Sequence, residues 1–318
     1  MVDLPARGYR GRIYLGSFLR YRPLWLKYSG EEKLRNFQVK CVLTKDDIPF
    51  AKLRPDKQDL LFITEEGEAI PYFIAKADAN EIVIFLKFFE IPKGTSILWL
   101  YYGNGNFLGA SCGDMVFEFY DDFEGDALNT DIWDVSSPDY SVSNSILRIN
   151  QGGIGVNDPL TFNLQEGYAV ETKCLFNELP ISGYSGVMPE VSSSRFTKGG
   201  NACADATAFL MSSGTSGDVV LYAASGSGTG YNIANGTFLF TSEENVWYLM
   251  SIRMSNGKLK IVKDDDVVFS ETGINWQKNI RYVALGRFDG ESSKDIRDTS
   301  YDFICIRKYT EPEPKIVV

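Results

Sequence analysis

The 318-residue sequence contains no histidine. That absence excludes Ser-His-Asp and Cys-His catalysis, histidine-ligated zinc and histidine-based acid–base chemistry. Basic residues are also few, with 32 Lys and Arg against 42 Asp and Glu and a formal net charge of -10. Such a charge argues against a general affinity for nucleic acid or for anionic membranes.

Paired cysteines and targeting segments are absent as well. The five cysteines are widely spaced and include no C-x-x-C, so we predict buried free thiols rather than zinc ligands or disulfides. The N-terminal "MVDLPARGYRGRIYLGSF" lacks the long apolar stretch of a signal peptide, and no run reaches transmembrane length. We expect no membrane insertion. We also expect either a trimmed chain or one that works without Sec export, as virion proteins do.

Strand patterns fill most of the sequence. "NEIVIFLKFF" is apolar at both alternating positions, as in a central strand that is covered on both faces. Asn256-Gly257 separates two strand-like runs, which predicts a type I′ hairpin. Helical patterns are scarce. The sequence therefore predicts an all-β protein.

A composition change suggests two domains and a tail. The Gly-rich "GNGNFLGASCGDMV" follows a dense apolar run and precedes an acidic stretch, so we place a boundary there. The prediction is a small β-sandwich with an N-terminal arm at 1–112 and a larger domain at 113–310. The remaining 311–318, with two prolines beside acidic residues, is predicted to be a tail or linker.

The first domain resembles the domain of unknown function numbered 2341. The resemblance rests on "YRPLWLKYSG", "LRNFQVKCVL", "PDKQDLLFITEEGEAIPYFI" and "IVIFLKFFEIPKGTSILWLYYGN", and it covers roughly 18–125. It implies a small β-sandwich on a surface-exposed or virion-associated protein. The family implies no activity.

The second domain resembles the concanavalin A-like jelly roll of laminin-G modules, legume lectins and laminarinase-type hydrolases. "DDFEGDALNTDIWD" is similar to the opening strand of that fold and "SYDFICIRKY" to its closing strand. "VWYLMSIRMSNGKLKIVKDDDVVFSE" is similar to its late hairpin. The resemblance implies a two-sheet sandwich over most of 117–310.

The acidic opening motif has three interpretations: a catalytic pair, a metal site or a solvated turn. Hydrolases of the resembled fold carry E-x-D-x-E or E-x-D-x-x-E on a cleft strand, because alternate residues share a face. The single E-x-D here, Glu124-Gly125-Asp126, lacks the second Glu. We therefore predict no catalytic residues. The resemblance instead implies a structural Ca²⁺ bound by Asp302 and by backbone oxygens near Asp122 and Gly167.

Aromatic residues in or beside Gly/Ser-rich segments could stack on sugar rings. We predict Tyr184, Tyr222, Tyr231 and Trp276 as glycan-binding residues, with packing on the sandwich edge as the alternative.

The function predicted from these features is non-enzymatic. The chain would be a structural and adhesive surface or virion protein, part of an oligomeric assembly, that binds a glycan or cell-surface polysaccharide and other subunits. One alternative is an endo-acting glycoside hydrolase or lyase that draws on Glu171, Glu178 or Glu190. The other is an architectural virion subunit, such as a tail, fibre or capsid-decorating protein.

Overall fold

The structure is a computed structural model. It describes residues 2–3, 12–13, 15–107, 109, 111–135, 139–150, 152–178, 184–186, 189–193, 195, 208–213, 218–223, 234–276, 278–286 and 298–318.

Strands dominate the described residues, which confirms the all-β prediction. Besides them there is one short helix, α1 (Gly113–Val116), and there are three 3₁₀ turns, Leu15–Ser17, Phe50–Lys52 and Leu164–Glu166. The strands are β1 (Val2–Asp3), β2 (Arg12–Ile13), β3 (Arg20–Tyr28), β4 (Leu34–Thr44), β5 (Leu61–Thr64), β6 (Ala69–Ile70), β7 (Tyr72–Ala77), β8 (Glu81–Ile91), β9 (Gly94–Tyr102), β10 (Phe119–Asp121), β11 (Trp133–Val135), β12 (Tyr140–Ser143), β13 (Ile146–Ile149), β14 (Gly153–Val156), β15 (Tyr168–Phe176), β16 (Tyr184–Gly186), β17 (Glu190–Ser192), β18 (Ala208–Ser213), β19 (Asp218–Ala223), β20 (Ala234–Thr241), β21 (Trp247–Ser255), β22 (Lys258–Lys263), β23 (Asp266–Glu271), β24 (Tyr282–Gly286), β25 (Thr299–Lys308) and β26 (Lys315–Val317).

The chain divides into two compact units. The first comprises Met1–Phe119 with Arg307–Val318, and the second comprises Tyr120–Ile306. In the first unit a five-stranded sheet, β26-β3-β9-β5-β6, packs on a three-stranded sheet, β4-β8-β7. The central position of β8 between β4 and β7 explains its continuous apolar run, since Ile82, Ile84, Phe85 and Leu86 are fully buried.

The C-terminal residues return to the first unit, where the sequence predicted a tail or linker. β26 pairs with β3 in register Ile316↔Leu26. The buried Gln38 donates from Nε2 to the carbonyl of Val116 at 2.7 Å and accepts from the Lys308 N–H at 2.9 Å. The first unit is therefore built from both ends of the chain, and its bounds differ from the predicted 1–112.

The second unit is a two-sheet β-sandwich of the jelly-roll type. Sheet A runs β12-β13-β25-β15-β21-β22-β23, with β10 also paired to β25. Sheet B runs β11-β14-β24-β17-β18-β19-β20, with β16 also paired to β18. The predicted hairpin joins β21 to β22 and is confirmed, because Asn256 and Gly257 have φ values of 47° and 73°, as a type I′ turn requires.

The acidic opening motif forms a local clamp. Asp121 accepts two hydrogen bonds, from the Phe123 backbone N–H at 2.7 Å and from the Trp133 indole Nε1 at 2.6 Å. Trp133 is 1% exposed. The motif thus seats the largest core side chain of the second unit, which is a structural role.

The cysteines in the described part of the chain form no disulfide with one another. Cys41, Cys174 and Cys305 are buried, and Cys112 is partly exposed. Burial, with a smaller contribution from Asp47, raises the pKa of Cys41 to about 12. Burial likewise raises the pKa of Cys174. Cys203 lies outside the described residues.

Candidate functional site

A transverse row of four positions crosses sheet B. The strand registers pair Asp134 with Gly155, Gly155 with Ala284, and Ala284 with Glu190. An acidic residue therefore lies at each end of the row, and the two smallest residue types, Gly and Ala, lie between them. We call these four positions the transverse row.

The row lies on the outer face of sheet B. The preceding or following positions on the same strands, Trp133, Val156, Val283 and Val191, are at most 3% exposed. Neighbouring residues on a strand point to opposite faces. Because the large apolar residues fill the interior of the sandwich, the transverse row occupies the opposite face.

The Asp134 end of the row reaches solvent. The Asp134 carboxylate lies 3.0 Å from an Arg195 guanidinium nitrogen, and their side chains are 45% and 48% exposed. The same nitrogen lies 3.2 Å from the side-chain oxygen of Asn157. Gly155 and Ala284, by contrast, are buried. The accessible part of the row is therefore its edge at β11.

A pocket of about 540 Å³ adjoins the row. Tyr282 connects the two, since it lies two residues before Ala284 on β24 and therefore on the same face. We call this the basic pocket. Its lining residues are Pro159, Ser193, Lys278, Asn279, Arg281 and Tyr282.

The wall of the basic pocket is held from both sides by backbone hydrogen bonds. The Arg281 N–H donates to the Ser192 carbonyl at 2.9 Å, and the Arg281 carbonyl accepts from the Leu160 N–H at 2.8 Å. The buried Asn163 side chain accepts from the Ile280 N–H at 2.9 Å and donates to Asn279 at 3.2 Å. The wall is therefore pre-formed, as ligand sites usually are.

Two of the four predicted glycan-binding residues fall on the outer face of sheet B. Tyr222 pairs with Phe209 and Tyr184 pairs with Ser213, and both partners lie on β18. The register Val191↔Ala208 places position 208 on the interior face, so 209 and 213 are on the outer one. Tyr184 and Tyr222 thus occupy strand positions on the face of the transverse row, where the sequence suggested loops.

For the other two predicted residues, Tyr231 and Trp276, no strand pairing among the described residues gives a position on this face. Tyr231 lies outside the described residues. Trp276 is half-buried, and its indole Nε1 is buried without a hydrogen-bond partner in the described part of the chain.

The three predicted calcium ligands do not form one ligand set. Asp302 forms an ion pair with the Lys173 ammonium, and Asp122 accepts from the Tyr120 hydroxyl at 3.1 Å. The hydrogen bond from Thr172 to the Phe303 carbonyl sets Asp302 beside Lys173. Gly167 lies six residues before Lys173, roughly 20 Å along an extended strand. Within the described residues no group of three or more acidic or cysteine side chains is arranged to hold a metal ion.

Burial raises the pKa of the Tyr120 hydroxyl, and the charges of Asp122 and Asp302 raise it further. The calcium prediction, which includes two backbone oxygens, stays a prediction.

Only one of the three glutamates considered for hydrolysis belongs to sheet B. Glu171 lies on β15 of sheet A, is 2% exposed and accepts from the Ser251 hydroxyl at 3.3 Å. Glu178 follows β15 and is exposed. Glu190 lies on β17 within the transverse row. Asp134 was not predicted from sequence, because only strand pairing relates it to Glu190.

The first unit contains a larger groove and an aromatic face. The groove, of about 1090 Å³, is bordered by the β5–β6 turn, the end of β8 and the start of β9. Tyr21 and Trp25, which are 67% and 37% exposed, lie on the outer face of the five-stranded sheet with Trp99, whose ring centroid is 5.8 Å from that of Tyr21. No polar constellation like that of sheet B accompanies them among the described residues.

A comparison with protein families gives a match in the first half of the chain. Residues 56–136 match a family described as Domain of unknown function (DUF2341). The match agrees with the resemblance that the sequence motifs indicated, and it extends from the first unit into the start of the second. No curated protein matches the chain.

Several solved structures with similarity to the chain are reported as glycan-acting enzymes. One, reported as "Prominent members of the human gut microbiota express endo-acting O-glycanases to initiate mucin breakdown", has 10% identity and a TM-score of 0.47, covering 61% of this chain and 100% of that one. The endo-beta-1,3-glucanase from Pyrococcus furiosus has 12% identity and a TM-score of 0.45, covering 61% and 95%. The laminarinase catalytic domain from Thermotoga petrophila RKU-1 has 12% identity and a TM-score of 0.43, covering 61% and 98%.

These neighbours contradict the prediction that the protein is not an enzyme, and we do not retain that prediction. At this level of similarity they do not assign a reaction to the chain. Separately, none of the described helices has the length and apolar character needed to cross a membrane.

Proposed function

We propose that the second unit acts on a polysaccharide, which it holds along the outer face of sheet B and cleaves within the chain as an endo-acting enzyme. The observation that carries this proposal is the transverse row, with Asp134 and Glu190 at its ends and Gly155 and Ala284 between them. A carboxylate residue therefore stands at each end of the row, and the Asp134 end reaches solvent, where a sugar chain can contact it.

Aromatic positions on the same face support the proposal. Tyr184 and Tyr222 fall there by register, and Tyr282 links the row to the basic pocket. Aromatic rings present flat apolar surfaces that suit the C–H faces of sugars, while their hydroxyl groups form hydrogen bonds. The strand positions of this face therefore hold aromatic and acidic residue types together, as an enzyme acting on sugars would need.

The spacing of the carboxylates bears on the mechanism. Asp134 and Glu190 are three interstrand steps apart, roughly 14 Å between backbones. Retaining glycosidases need carboxyl groups about 5–5.5 Å apart, whereas inverting enzymes keep about 6.5–9.5 Å to admit a water. The backbone separation exceeds the retaining distance and is nearer to that of the wider class. We therefore assign these residues to an inverting pair, with water attacking between them.

The reaction can be tested on soluble neutral and acidic polysaccharides. The purified chain is incubated with laminarin, lichenan, polygalacturonate and alginate, and both new reducing ends and viscosity are measured. We expect viscosity to fall early, as endo cleavage requires, and activity to fall at least 100-fold in Glu190→Gln and in Asp134→Asn. Glu178→Gln is the matched control, because Glu178 is exposed and lies on the strand end of the other sheet.

Two results would reject the proposal. One is folded protein that neither binds nor cleaves any of the four polymers. The other is cleavage that survives in Glu190→Gln at the level of Glu178→Gln. With a polysaccharide as substrate, we also propose a location at a surface or in the extracellular space, and a virion location stays a prediction.

A further inference from the structure

The basic pocket contains an arginine whose Nε lacks a hydrogen-bond acceptor among the described residues. Arg281 lines the pocket, its Nε is buried, and that atom has no hydrogen-bond acceptor among the described residues. The backbone N–H and carbonyl of Arg281 are both engaged, with Ser192 and Leu160, so the side chain is not needed to hold the wall. A buried guanidinium N–H without an acceptor is costly, which indicates an acceptor supplied from outside the chain.

We propose that the basic pocket binds an anionic group on the sugar chain, and specifically the carboxylate of a uronic acid residue. A guanidinium presents parallel N–H donors that match the two oxygens of a planar carboxylate. Lys278 adds a second positive charge to the lining, and Tyr282 adds a ring for the sugar face. This inference rests on the proposed function and names the substrate class of that site.

The other polar residues of the pocket suit a sugar acid rather than an isolated anion. Ser193 and Asn279 contribute neutral hydrogen-bonding groups to the lining, and Pro159 contributes apolar surface. The volume of about 540 Å³ lies within the range of roughly 300–1,000 Å³ typical of small-molecule sites. A ring with hydroxyls and one carboxylate uses all of these groups.

Within the described part of the chain, Arg281 takes part in no ion pair. Arg195, on the same face, is paired with Asp134, so the two neutralise one another. The chain as a whole carries a net charge of -10, which repels polyanions at long range. Recognition of an acidic polymer therefore has to come from this local pocket, and raising the salt concentration screens the repulsion along with the attraction.

The experiment compares binding of four oligosaccharide preparations by calorimetry on the full chain. They are oligogalacturonate, as the carboxylate probe, its methyl ester, a sulfated carrageenan oligosaccharide and neutral laminarin oligosaccharides. Arg281→Gln removes the guanidinium, and Lys258→Gln on β22 of sheet A makes the same change in net charge away from the pocket. We expect oligogalacturonate to bind at least tenfold tighter than its methyl ester. We also expect Arg281→Gln, but not Lys258→Gln, to lose that preference.

The outcomes separate this inference from the proposed function. Equal binding of the acid and its ester, or an unchanged preference in Arg281→Gln, would overturn the carboxylate assignment even with glycan cleavage intact. Preference for the sulfated probe over oligogalacturonate would overturn it in favour of sulfate esters. If no glycan is bound or cleaved, the proposed function itself is rejected, and the carboxylate assignment is rejected with it. Arg281→Lys is the second variant, and it is expected to keep the charge but lose most of the selectivity.

Discussion

Trp133 donates its indole hydrogen bond to Asp121 at 2.6 Å, which ties the start of the second unit to its core. The ring is 1% exposed, and the same carboxylate also holds the Phe123 N–H. The acidic run could have indicated a catalytic cluster. Its first carboxylate, Asp121, instead has a structural role, because it holds Trp133 and Phe123.

Replacing Asp121 should destabilise the second unit. Asp121→Ala leaves the buried Trp133 N–H without this acceptor, and we expect a loss of about 1–3 kcal/mol in the free energy of unfolding. Urea denaturation followed by tryptophan fluorescence measures it. Asp131→Ala is the control, because Asp131 is exposed in the same loop and should change stability by less than about 0.5 kcal/mol. Equal effects of the two variants would contradict the clamp.

Arg307, which is buried, and Glu313, which is partly exposed, form an ion pair in the first unit. Replacing one or the other should lower the stability by different amounts. The Arg307 Nη1 lies 2.6 Å from Glu313, the Arg307 side chain is 1% exposed, and the guanidinium lies 5.5 Å from the Phe85 ring centroid. Glu313→Gln leaves the buried guanidinium without this carboxylate, and we expect a loss of about 1–3 kcal/mol, because the Lys308 carbonyl still accepts from the same nitrogen. Arg307→Met removes that charge and fills the space, so its cost should be smaller. Thermal denaturation of both variants tests the order, and the reverse order would show that the pair itself contributes most of the stability.

The β21–β22 hairpin offers a test that separates backbone strain from a steric clash. Gly257 has a φ of 73°, and a Cβ there would lie 2.8 Å from the Ile274 carbonyl oxygen. Gly273 has a similar φ of 77° with no atom within 4 Å of such a Cβ. Both alanine variants should lose about 1 kcal/mol through strain, and Gly257→Ala should lose about 1–2 kcal/mol more. If denaturation midpoints of the two variants coincide, the carbonyl moves aside without cost.

Alkaline conditions should weaken the first unit through Cys41. Burial raises the pKa of this thiol to about 12 from its ordinary value of 9.0, so the folded state keeps the proton that the unfolded state releases. The contribution is complete below pH 9 and is lost as the pH rises towards 12. Between pH 8.5 and 10.5 we expect the thiol to account for about 1–2 kcal/mol of lost stability. The difference between wild type and Cys41→Ala across this range isolates the thiol from Lys and Tyr titrations, and parallel curves would contradict the assignment.

What the sequence could reveal depended on how local the signal was. The buried run of β8 and the Asn256-Gly257 turn are encoded by neighbouring residues, and both were predicted. The transverse row joins Asp134 to Glu190 through two intervening strands, and only the registers of those strands bring them together. The pairing of β26 with β3 spans almost the whole chain, so the proline-flanked C-terminus resembled a linker. Long-range pairing of this kind leaves no pattern in any short window of sequence.

The ion pair between Lys173 and Asp302 makes the calcium prediction testable. The ammonium occupies one side of the carboxylate that the metal would need, so we expect 2 mM CaCl₂ and 2 mM EGTA, concentrations on the order of the weakest extracellular calcium sites, to give the same Tm in wild type. Lys173→Met frees Asp302 and should make Tm respond to calcium if Asp122 then joins it. Lys258→Met is the control for the loss of one positive charge on sheet A. A rise of several degrees with calcium in wild type would show that the metal displaces Lys173 and that the ligands inferred from the fold resemblance are correct.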